Sequence, residues 1–556
     1  MSDIVILYNK SNPFGIQRDV QGIMESISGK KVKCADPLEP PMACGVAVHL
    51  EIPVYMWMPW AAVNIFVVNP EWFEVAWVPY MDRFKYVIYK DSLSAEEAIA
   101  AGYVRKEQVK VIPWGASQPA ELETKQGNVN TGFVWFLGGS KNKRAYVPKL
   151  LKLWRDTYPP LRIYSAEPLD ISGTSNVRFE AIDLDVKERS GLAKFFRGHV
   201  ACSEAEGFSY AAAEAEWYGA FTILNELNCY VCDYKDKEGA YIFDGTQEDL
   251  DRAIQLFEKA DLNIIAGNRK FEADSRYKKF QAAFAKLLTD VLTLEMPAQL
   301  PPVIRSEDCP PISIVTLMYN RRKFFELACH NILSTDYPLE KIEWLIVEDS
   351  DDPTEDASDL ITKAANSSNS VKIVYIPLKK RISVGAKRNI GVERATNDII
   401  LMLDDDDHYP TTSFRRRVAW LQHPWKPKAV AATTIACYDL VKGISAVNVP
   451  PLQIPLAQRI SEATLTFYKS WWLEKQFPTS VQVGEGEEFL SGREKDLLEI
   501  PPQQIIVAFS HGKNASSRRI PSGDDIKPGC FWGFPKEFLI FIHKLAGINV
   551  VEDGIN

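Results

Sequence analysis

The stretch Asn397-Asp398-Ile399-Ile400-Leu401-Met402-Leu403-Asp404-Asp405-Asp406-Asp407-His408 decides how this chain is read. An apolar run of strand length ends in four consecutive carboxylates, so a site is being built where the strand stops. Two carboxylates about 4 Å apart repel by roughly 1 kcal/mol in water and about 4 kcal/mol at an effective dielectric near 20, so partial burial requires a compensating cation. Mg²⁺ or Mn²⁺ suits the donors, because hard ions take carboxylate oxygens and keep open positions for the phosphates of a nucleotide. A solvated acidic turn is the plain alternative for such a run. The neighbouring segments argue against it.

Upstream, Ile312-Ser313-Ile314-Val315-Thr316-Leu317-Met318-Tyr319-Asn320 is a strand that ends in polar residues, and an amphipathic helix follows through Leu333. Trp344-Leu345-Ile346-Val347-Glu348-Asp349-Ser350-Asp351-Asp352 is a second strand releasing carboxylates at its C-terminal end. Gly385-Ala386-Lys387-Arg388-Asn389-Ile390-Gly391 then supplies glycines, two cations and an amide just before the acidic strand. Ligands of open α/β sheets bind at the C-terminal ends of strands, so these clusters converge on one rim.

With 556 residues the chain predicts two to four domains. Its 46% hydrophobic and 25% charged content is that of a globular protein, and a net charge of −9 argues against nucleic acid as the partner. Nine cysteines without a dense pattern suit a reducing, cytoplasmic setting, and the single C-x-x-C of Cys229 and Cys232 reads as structural thiols. Met1-Ser2-Asp3 leads directly into an apolar strand rather than a leader. The nearest approach to a membrane span, residues 52–68, contains Pro53, Pro59 and Asn64 and reads as buried strand and turn. The apolar segment 538–542 is too short to span, though its helix could touch a partner or a membrane surface.

The prolines of residues 297–310 mark an extended linker, and a strand restarts on each side of it. On both sides apolar strand-like runs alternate with helical patterns, the signature of an α/β chain with parallel sheets covered by helices. Within residues 1–296, Gly132-Phe133-Val134-Trp135-Phe136-Leu137-Gly138-Gly139, followed by Lys141, Lys143 and Arg144, opens a second Rossmann-like unit, giving units of about 1–130 and 131–296. Helical spacing over 248–294 predicts helices packing back across the two. Glu206-Gly207-Phe208-Ser209-Tyr210-Ala211-Ala212-Ala213-Glu214 sets two glutamates eight positions apart. A helix turning at Gly207 would place Glu206 at its start and Glu214 two turns in, on roughly one face.

The four ordered motifs of the second half, 315–320, 347–351, 385–391 and 403–407 with Pro410 behind, resemble the family-2 glycosyltransferases of the GT-A fold over residues 312 to about 515. The resemblance implies a nucleotide-sugar-binding domain over 311–556 in which Thr316, Asp349 and Asp351 meet the nucleotide and Arg388 lies near the donor. Asp404, Asp406 and Asp407 would meet the metal with Asp405 on the donor side, and His511 would be a further metal ligand. A downstream carboxylate would deprotonate the acceptor hydroxyl and give inversion. The matching segment, Gly484-Glu485-Gly486-Glu487-Glu488-Phe489-Leu490, departs from the pattern because Gly486 stands where aspartate is often found. The base is thus open among Glu485, Glu487 and Glu488, with Glu487 favoured and Glu488 next.

The series 109–115, 136–144, 203–214 and 219–223 resembles the family-4 glycosyltransferases of the GT-B fold over residues 1 to about 290. It implies nucleotide-sugar binding between two Rossmann-like units, with Glu214 on the ribose, Glu206 near the donor sugar as the catalytic-side carboxylate, and Lys143 or Arg144 on the diphosphate. Phe221 departs from the proline usual there, and the first unit is short. The expectation is an α/β chain, GT-B-like then GT-A-like, that adds two sugars from UDP- or GDP-type donors to a glycan or glycoconjugate. The N-terminal reaction would be metal-independent and retaining, the C-terminal one metal-dependent and inverting. Two alternatives stand: only the C-terminal domain is catalytic, or the acidic run is a calcium site in a non-enzymatic scaffold.

Overall fold

The computed structural model describes residues 2–12, 15–27, 29–119, 130–169, 171, 175–292, 301–368, 370–481, 484–511, 514, 529–530 and 532–548. It separates into two compact units, Met1–Glu39 with Ala43–Met296, and Pro297–Asn556 with Pro40–Met42. Of the segments singled out above, residues 293–294 and 297–300 lie outside the described residues.

The first unit contains two six-stranded sheets. One comprises β1 (Ser2–Leu7), β2 (Val32–Ala35), β3 (Cys44–Leu50), β4 (Ala61–Val67), β5 (Tyr86–Tyr89) and β6 (Val109–Val111) in the order β2-β1-β3-β4-β5-β6. The other comprises β7 (Asn130–Gly138), β8 (Leu161–Ser165), β9 (Val177–Ala181), β10 (Phe196–Val200), β11 (Phe221–Asn225) and β12 (Ala240–Phe243) in the order β12-β11-β10-β7-β8-β9. Every neighbouring pair in both is parallel. The strands read as unbroken apolar runs because both faces are covered, and Ile4, Val5, Ile6 and Leu7 are all fully buried. Strand order reverses between β1 and β3 in the first sheet and between β7 and β10 in the second, the two crevices where such sheets bind ligands.

The expected return helices are Gln247–Lys259 and Leu262–Val291. The latter starts beside the second sheet, where Arg269 Nη2 donates to Thr222 Oγ1 (3.0 Å), and ends in the core of the first, where Phe280, Phe284, Leu288 and Val291 join Ile16, Val20 and Ile23. Tyr55, Trp57, Trp60 and Trp77 are buried in the core, and Trp72 is exposed. None of the nine cysteines, all among the described residues, is in a disulfide. Among the described residues no helix is long and apolar enough to cross a membrane.

The second unit is built on a seven-stranded sheet, β15-β14-β13-β16-β20-β17-β21. Its strands are β13 (Ile312–Met318), β14 (Ile342–Glu348), β15 (Lys372–Pro377), β16 (Ile399–Asp404), β17 (Ala429–Ala431), β20 (Thr466–Tyr468) and β21 (Leu497–Glu499). A smaller sheet pairs β18 (Ile435–Asp439) with β19 (Ile444–Asn448) and β22 (Val507–Ser510). β13, β14, β15 and β16 are parallel, while β20 runs antiparallel to β16. Arg417, fully buried in the helix Ser413–Leu421, locks that junction: Nη2 donates to the carbonyls of Met402 (3.0 Å) and Leu465 (2.8 Å), and Nε to Thr466 Oγ1 (2.8 Å).

Packing settles the surroundings of the C-terminal apolar segment and of His408. The C-terminal helix Lys536–Leu545 turns Leu539, Ile542 and Leu545 into a cluster with Phe324, Tyr438 and Phe509, so that face is occupied within the unit. His408, beside the acidic run, is turned largely away from solvent. It packs against Phe534 and Phe538, and burial with the nearby His330 pushes its imidazole down to about 3, leaving it neutral.

Candidate active site

In the second unit the sheet order reverses at β13 and β16, and the acidic run emerges there from the end of β16. The loop is pinned on three sides. Asn331 Nδ2 donates to the Asp407 carbonyl (2.8 Å) and its Oδ1 accepts the Tyr409 amide (3.0 Å). His408 exchanges both backbone hydrogen bonds with Val507 (3.0 and 2.8 Å), and Asp407 Oδ1 accepts the Phe509 amide (2.9 Å). That pairing brings β22, and His511 just beyond it, to the aspartates.

The carboxylates of Asp404, Asp406 and Asp407 offer oxygens within 4.8 Å of one another, and Asp406 and Asp407 are buried. Arg321 Nη1 lies 2.8 Å from Asp405 Oδ1 and 2.7 Å from Asp406 Oδ2. Asp405 Oδ2 is buried without a hydrogen-bond partner. Burial raises the Asp405 carboxyl well above the ordinary carboxylate range, with Arg321 opposing and the neighbouring aspartates adding to the rise. Three converging oxygen donors with an unsatisfied buried carboxylate oxygen beside them fit a hard divalent cation. His511 Nε2 stands 3.1 Å from Asp406 Oδ2, which also accepts from Asn514 Nδ2 (3.3 Å). The histidine is therefore placed as a partner of that carboxylate, while the converging donors are all carboxylates.

The nucleotide-side residues divide. Thr316 is fully buried inside β13 and its hydroxyl accepts the Trp344 indole N–H (2.9 Å), so it belongs to the sheet interior and does not reach the rim. Asp349, also buried, has both oxygens engaged, by Lys387 Nζ (2.7 Å) and the Ile382 amide (3.0 Å), and clamps the end of β14 to the helix Val384–Arg394 and the loop before it. Asp351 is exposed at the rim and accepts from Asn320 Nδ2 (2.7 Å) and Tyr319 O–H (3.1 Å). Asn320 takes a positive φ of 51° and its Oδ1 receives the amides of Asp351 and Asp352 (3.1 Å each), tying the two strand ends together. The Arg381 guanidinium covers the Tyr319 ring at 4.2 Å.

Arg388, on the helix Val384–Arg394 capped by Ser383, faces Glu485 Oε1 at 3.4 Å. The order of preference among the candidate bases is corrected here. Glu487 and Glu488 lie on the exposed side of the helix Glu485–Leu490, where Gln458 Nε2 donates to Glu487 Oε1 (2.8 Å). Glu485 is the one turned inward. Sequence reasoning missed Arg321, Tyr319, Arg381 and Lys387. Lys387 sat in a motif already quoted, and the paired Arg321-Arg322 after a strand-end asparagine was a legible sign for Arg321.

In the first unit the helix predicted to turn at Gly207 begins at Tyr210, with Ser209 Oγ accepting the Ala212 amide (3.4 Å) as its cap. Gly207 lies in the loop before it. A Cβ there would come within 2.1 Å of Asn69 Oδ1, so glycine permits the close approach of the two loops. Glu206 and Glu214 therefore do not share a helix face. Glu206 pairs with Lys143 (3.1 Å), on the helix Lys141–Leu151 that follows β7, and Arg144 reaches Glu167 (2.9 Å). Glu214 is buried and accepts from Arg18 and from Arg189 (3.0 Å). Burial works to raise its carboxyl, but the two guanidiniums outweigh that and hold it below the usual range. Beside Glu206, Glu71 accepts from Asn142 Nδ2, and burial together with the Glu206 charge pushes it up to about 7.

Parts of the chain are similar to known glycosyltransferases. The chain is 23% identical over 112 residues, 20% of its own length and 42% of that protein, to a putative teichuronic acid biosynthesis glycosyltransferase, TuaG, of Bacillus subtilis (strain 168). It spans about two fifths of the length of the curated relatives it matches. Among solved structures it is similar to the mannosyltransferase PcManGT from Pyrobaculum calidifontis in complex with GDP-Man and Mn²⁺, at 16% identity and a TM-score of 0.30, over 38% of this chain and 61% of that one. It is also similar to the apo structure of OtsA, at 10% identity and a TM-score of 0.40, over 53% of this chain and 100% of that one. Residues 313–454, which carry β13, the rim loops and the acidic run, match the model of glycosyl transferase family 2.

Proposed function

We propose that the second unit transfers a sugar from a UDP- or GDP-type donor to a glycan acceptor, with Mn²⁺ or Mg²⁺ held by Asp404, Asp406 and Asp407. The observation that carries this is the convergence of three carboxylates within 4.8 Å where a parallel strand ends at the reversal of sheet order. A divalent ion bound there supplies positive charge for a departing diphosphate. The protein's own side chains supply the rest. Tyr319 under Arg381 offers a stacked face for a nucleobase, with Asp351 as an acceptor beside it. Arg388 faces the donor sugar, and a carboxylate near it removes the acceptor proton as the new bond forms opposite the leaving group, which inverts the anomeric centre. The family match over 313–454 and the glycosyltransferase relatives support this assignment.

The first unit is read as a second, metal-independent transferase. Glu214 would sit on the donor ribose, Glu206 near the sugar and Lys143 or Arg144 on the diphosphate, the whole chain being bifunctional and cytoplasmic. The nine cysteines, none of them in a disulfide, support the location. A second reading, in which only the second unit is catalytic, is favoured by the engagement of Glu214 with Arg18 and Arg189 and of Lys143 with Glu206. Nucleoside diphosphate release from a panel of nucleotide sugars, with Mn²⁺ or with EDTA, separates them. Asp406→Ala is expected to abolish the Mn²⁺-dependent release and Glu214→Ala the EDTA-resistant release. Full activity of both variants towards every donor found would refute the site assignments, and absence of release from any donor would leave the calcium scaffold.

A further inference from the structure

The sequence leaves a gap at Gly486, where the helix Glu485–Leu490 presents no side chain towards the site. The structure fills it. A Cβ on Gly486 would come within 2.1 Å of Glu462 Oε1, 2.3 Å of its Cγ and 2.6 Å of its Cδ, so the Glu462 carboxylate stands in the volume that a side chain at 486 would take. Any residue but glycine there would displace it.

Glu462 is held in that place by its own turn. The 3₁₀ turn Glu462–Thr464 is anchored where Ser461 N–H meets the Ala432 carbonyl (3.1 Å) and Thr464 Oγ1 accepts the Ala432 amide (2.8 Å). The turn is also tied to the acidic strand. The Tyr409 hydroxyl donates to the Ala463 carbonyl (3.0 Å) and accepts the Asp404 amide (2.9 Å), so one phenol joins the residue after Glu462 to the first aspartate of the run. The Met402 amide adds a bond to the Leu465 carbonyl (3.0 Å). Around the carboxylate lie the charges of Arg388, Glu485 and Asp404, and burial with the two like charges raises its proton affinity against the pull of Arg388. Glu485, by contrast, faces Arg388 at 3.4 Å, and Glu487 and Glu488 are on the outer side of their helix.

We propose that Glu462 is the general base of the second unit, its carboxylate standing where a side chain at position 486 would otherwise project. This rests on reading that unit as a nucleotide-sugar transferase. In the step it serves, an acceptor hydroxyl or water attacks the anomeric carbon and its proton passes to the Glu462 carboxylate. The bond from that carbon to the diphosphate oxygen breaks, and its electron pair leaves with the nucleoside diphosphate. A base supplied from the 462 turn, rather than from the helix, explains how the site tolerates a glycine at 486.

The test uses the full chain with Mn²⁺, a panel of UDP- and GDP-sugars, and water as acceptor, reading nucleoside diphosphate release. Glu462→Gln keeps the shape and is expected to lower turnover by roughly 100-fold or more, while UDP and GDP bind within about twofold of wild type. Glu462→Ala is expected to fall as far and to regain at least about tenfold when formate is added, a rescue that a merely structural glutamate does not give. Turnover of Glu462→Gln within about threefold of wild type, or no formate rescue of Glu462→Ala, overturns the assignment while leaving the transferase reading intact. A wild-type chain that releases nucleoside diphosphate from none of the donors overturns both.

Discussion

Replacing Arg321 with methionine isolates the electrostatics of the acidic rim. Its Nη1 lies 2.8 Å from Asp405 and 2.7 Å from Asp406, so each contact has a gross Coulomb energy of about 6 kcal/mol at an effective dielectric near 20. Desolvation offsets most of that gross energy, and removing one partner of a buried pair costs about 3–5 kcal/mol net. Arg321 retains 19% side-chain exposure, which places the expected loss near the lower bound, about 3 kcal/mol. For a unit of this size that corresponds to a fall of roughly 6–12 °C in melting temperature. The assay is thermal unfolding of the variant and of wild type, in EDTA and in Mn²⁺. A cation at Asp404, Asp406 and Asp407 shares Asp406 with Arg321 and adds positive charge beside Asp405, and saturation at about 100 times Kd returns about 2.7 kcal/mol. Mn²⁺ should therefore recover most of the loss and stabilise the variant more than it stabilises wild type. A melting temperature in EDTA within about 2 °C of wild type would refute the argument, as would an equal Mn²⁺ response in both proteins.

Three further outcomes are expected. Arg417→Leu removes three buried hydrogen bonds, to the carbonyls of Met402 and Leu465 and to the Thr466 hydroxyl, and should cost about 3–6 kcal/mol by chemical denaturation, far above a surface substitution. Glu71, whose folded-state value is raised to about 7, should destabilise the protein as pH rises. The unfolded chain releases that proton near 4.5 and the folded chain only near 7, so the stability present below 4.5 is lost across this window, by about 1–3 kcal/mol, and Glu71→Gln should flatten that slope. Gly486→Ala should displace Glu462 and cut donor turnover at least about tenfold while costing only about 1–2 kcal/mol of stability, because the crowded atoms belong to one flexible side chain. Stability lost without turnover would contradict that account.

What the sequence revealed depended on how local the determining forces were. The acidic run, the strand ends at Asn320 and Asp349 and the second opening after Gly138 were legible because apolar strands stopping at polar residues leave a linear trace. The parallel architecture followed from unbroken apolar strands. Thr316 was misplaced because strand alternation turned its hydroxyl to Trp344, a partner 28 positions away. The helix assigned to start at Gly207 starts three residues later because Ser209 caps it better than a glycine turn. Glu462 was invisible for a different reason: its relation to Gly486 is made by tertiary packing alone, and nothing at positions 460–464 marks it out.

The helix Leu262–Val291 has a practical bearing on dissection of the chain. At 30 residues it is about 45 Å long, and one end closes the second sheet while the other supplies Phe280, Phe284 and Leu288 to the first. A fragment ending near residue 119 would leave the hydrophobic floor under β1 and β3 open to water and invite aggregation, although it contains every strand of its sheet. The smallest piece of the N-terminal half worth expressing therefore runs through residue 292, and limited proteolysis should release that piece intact rather than splitting it between its two sheets.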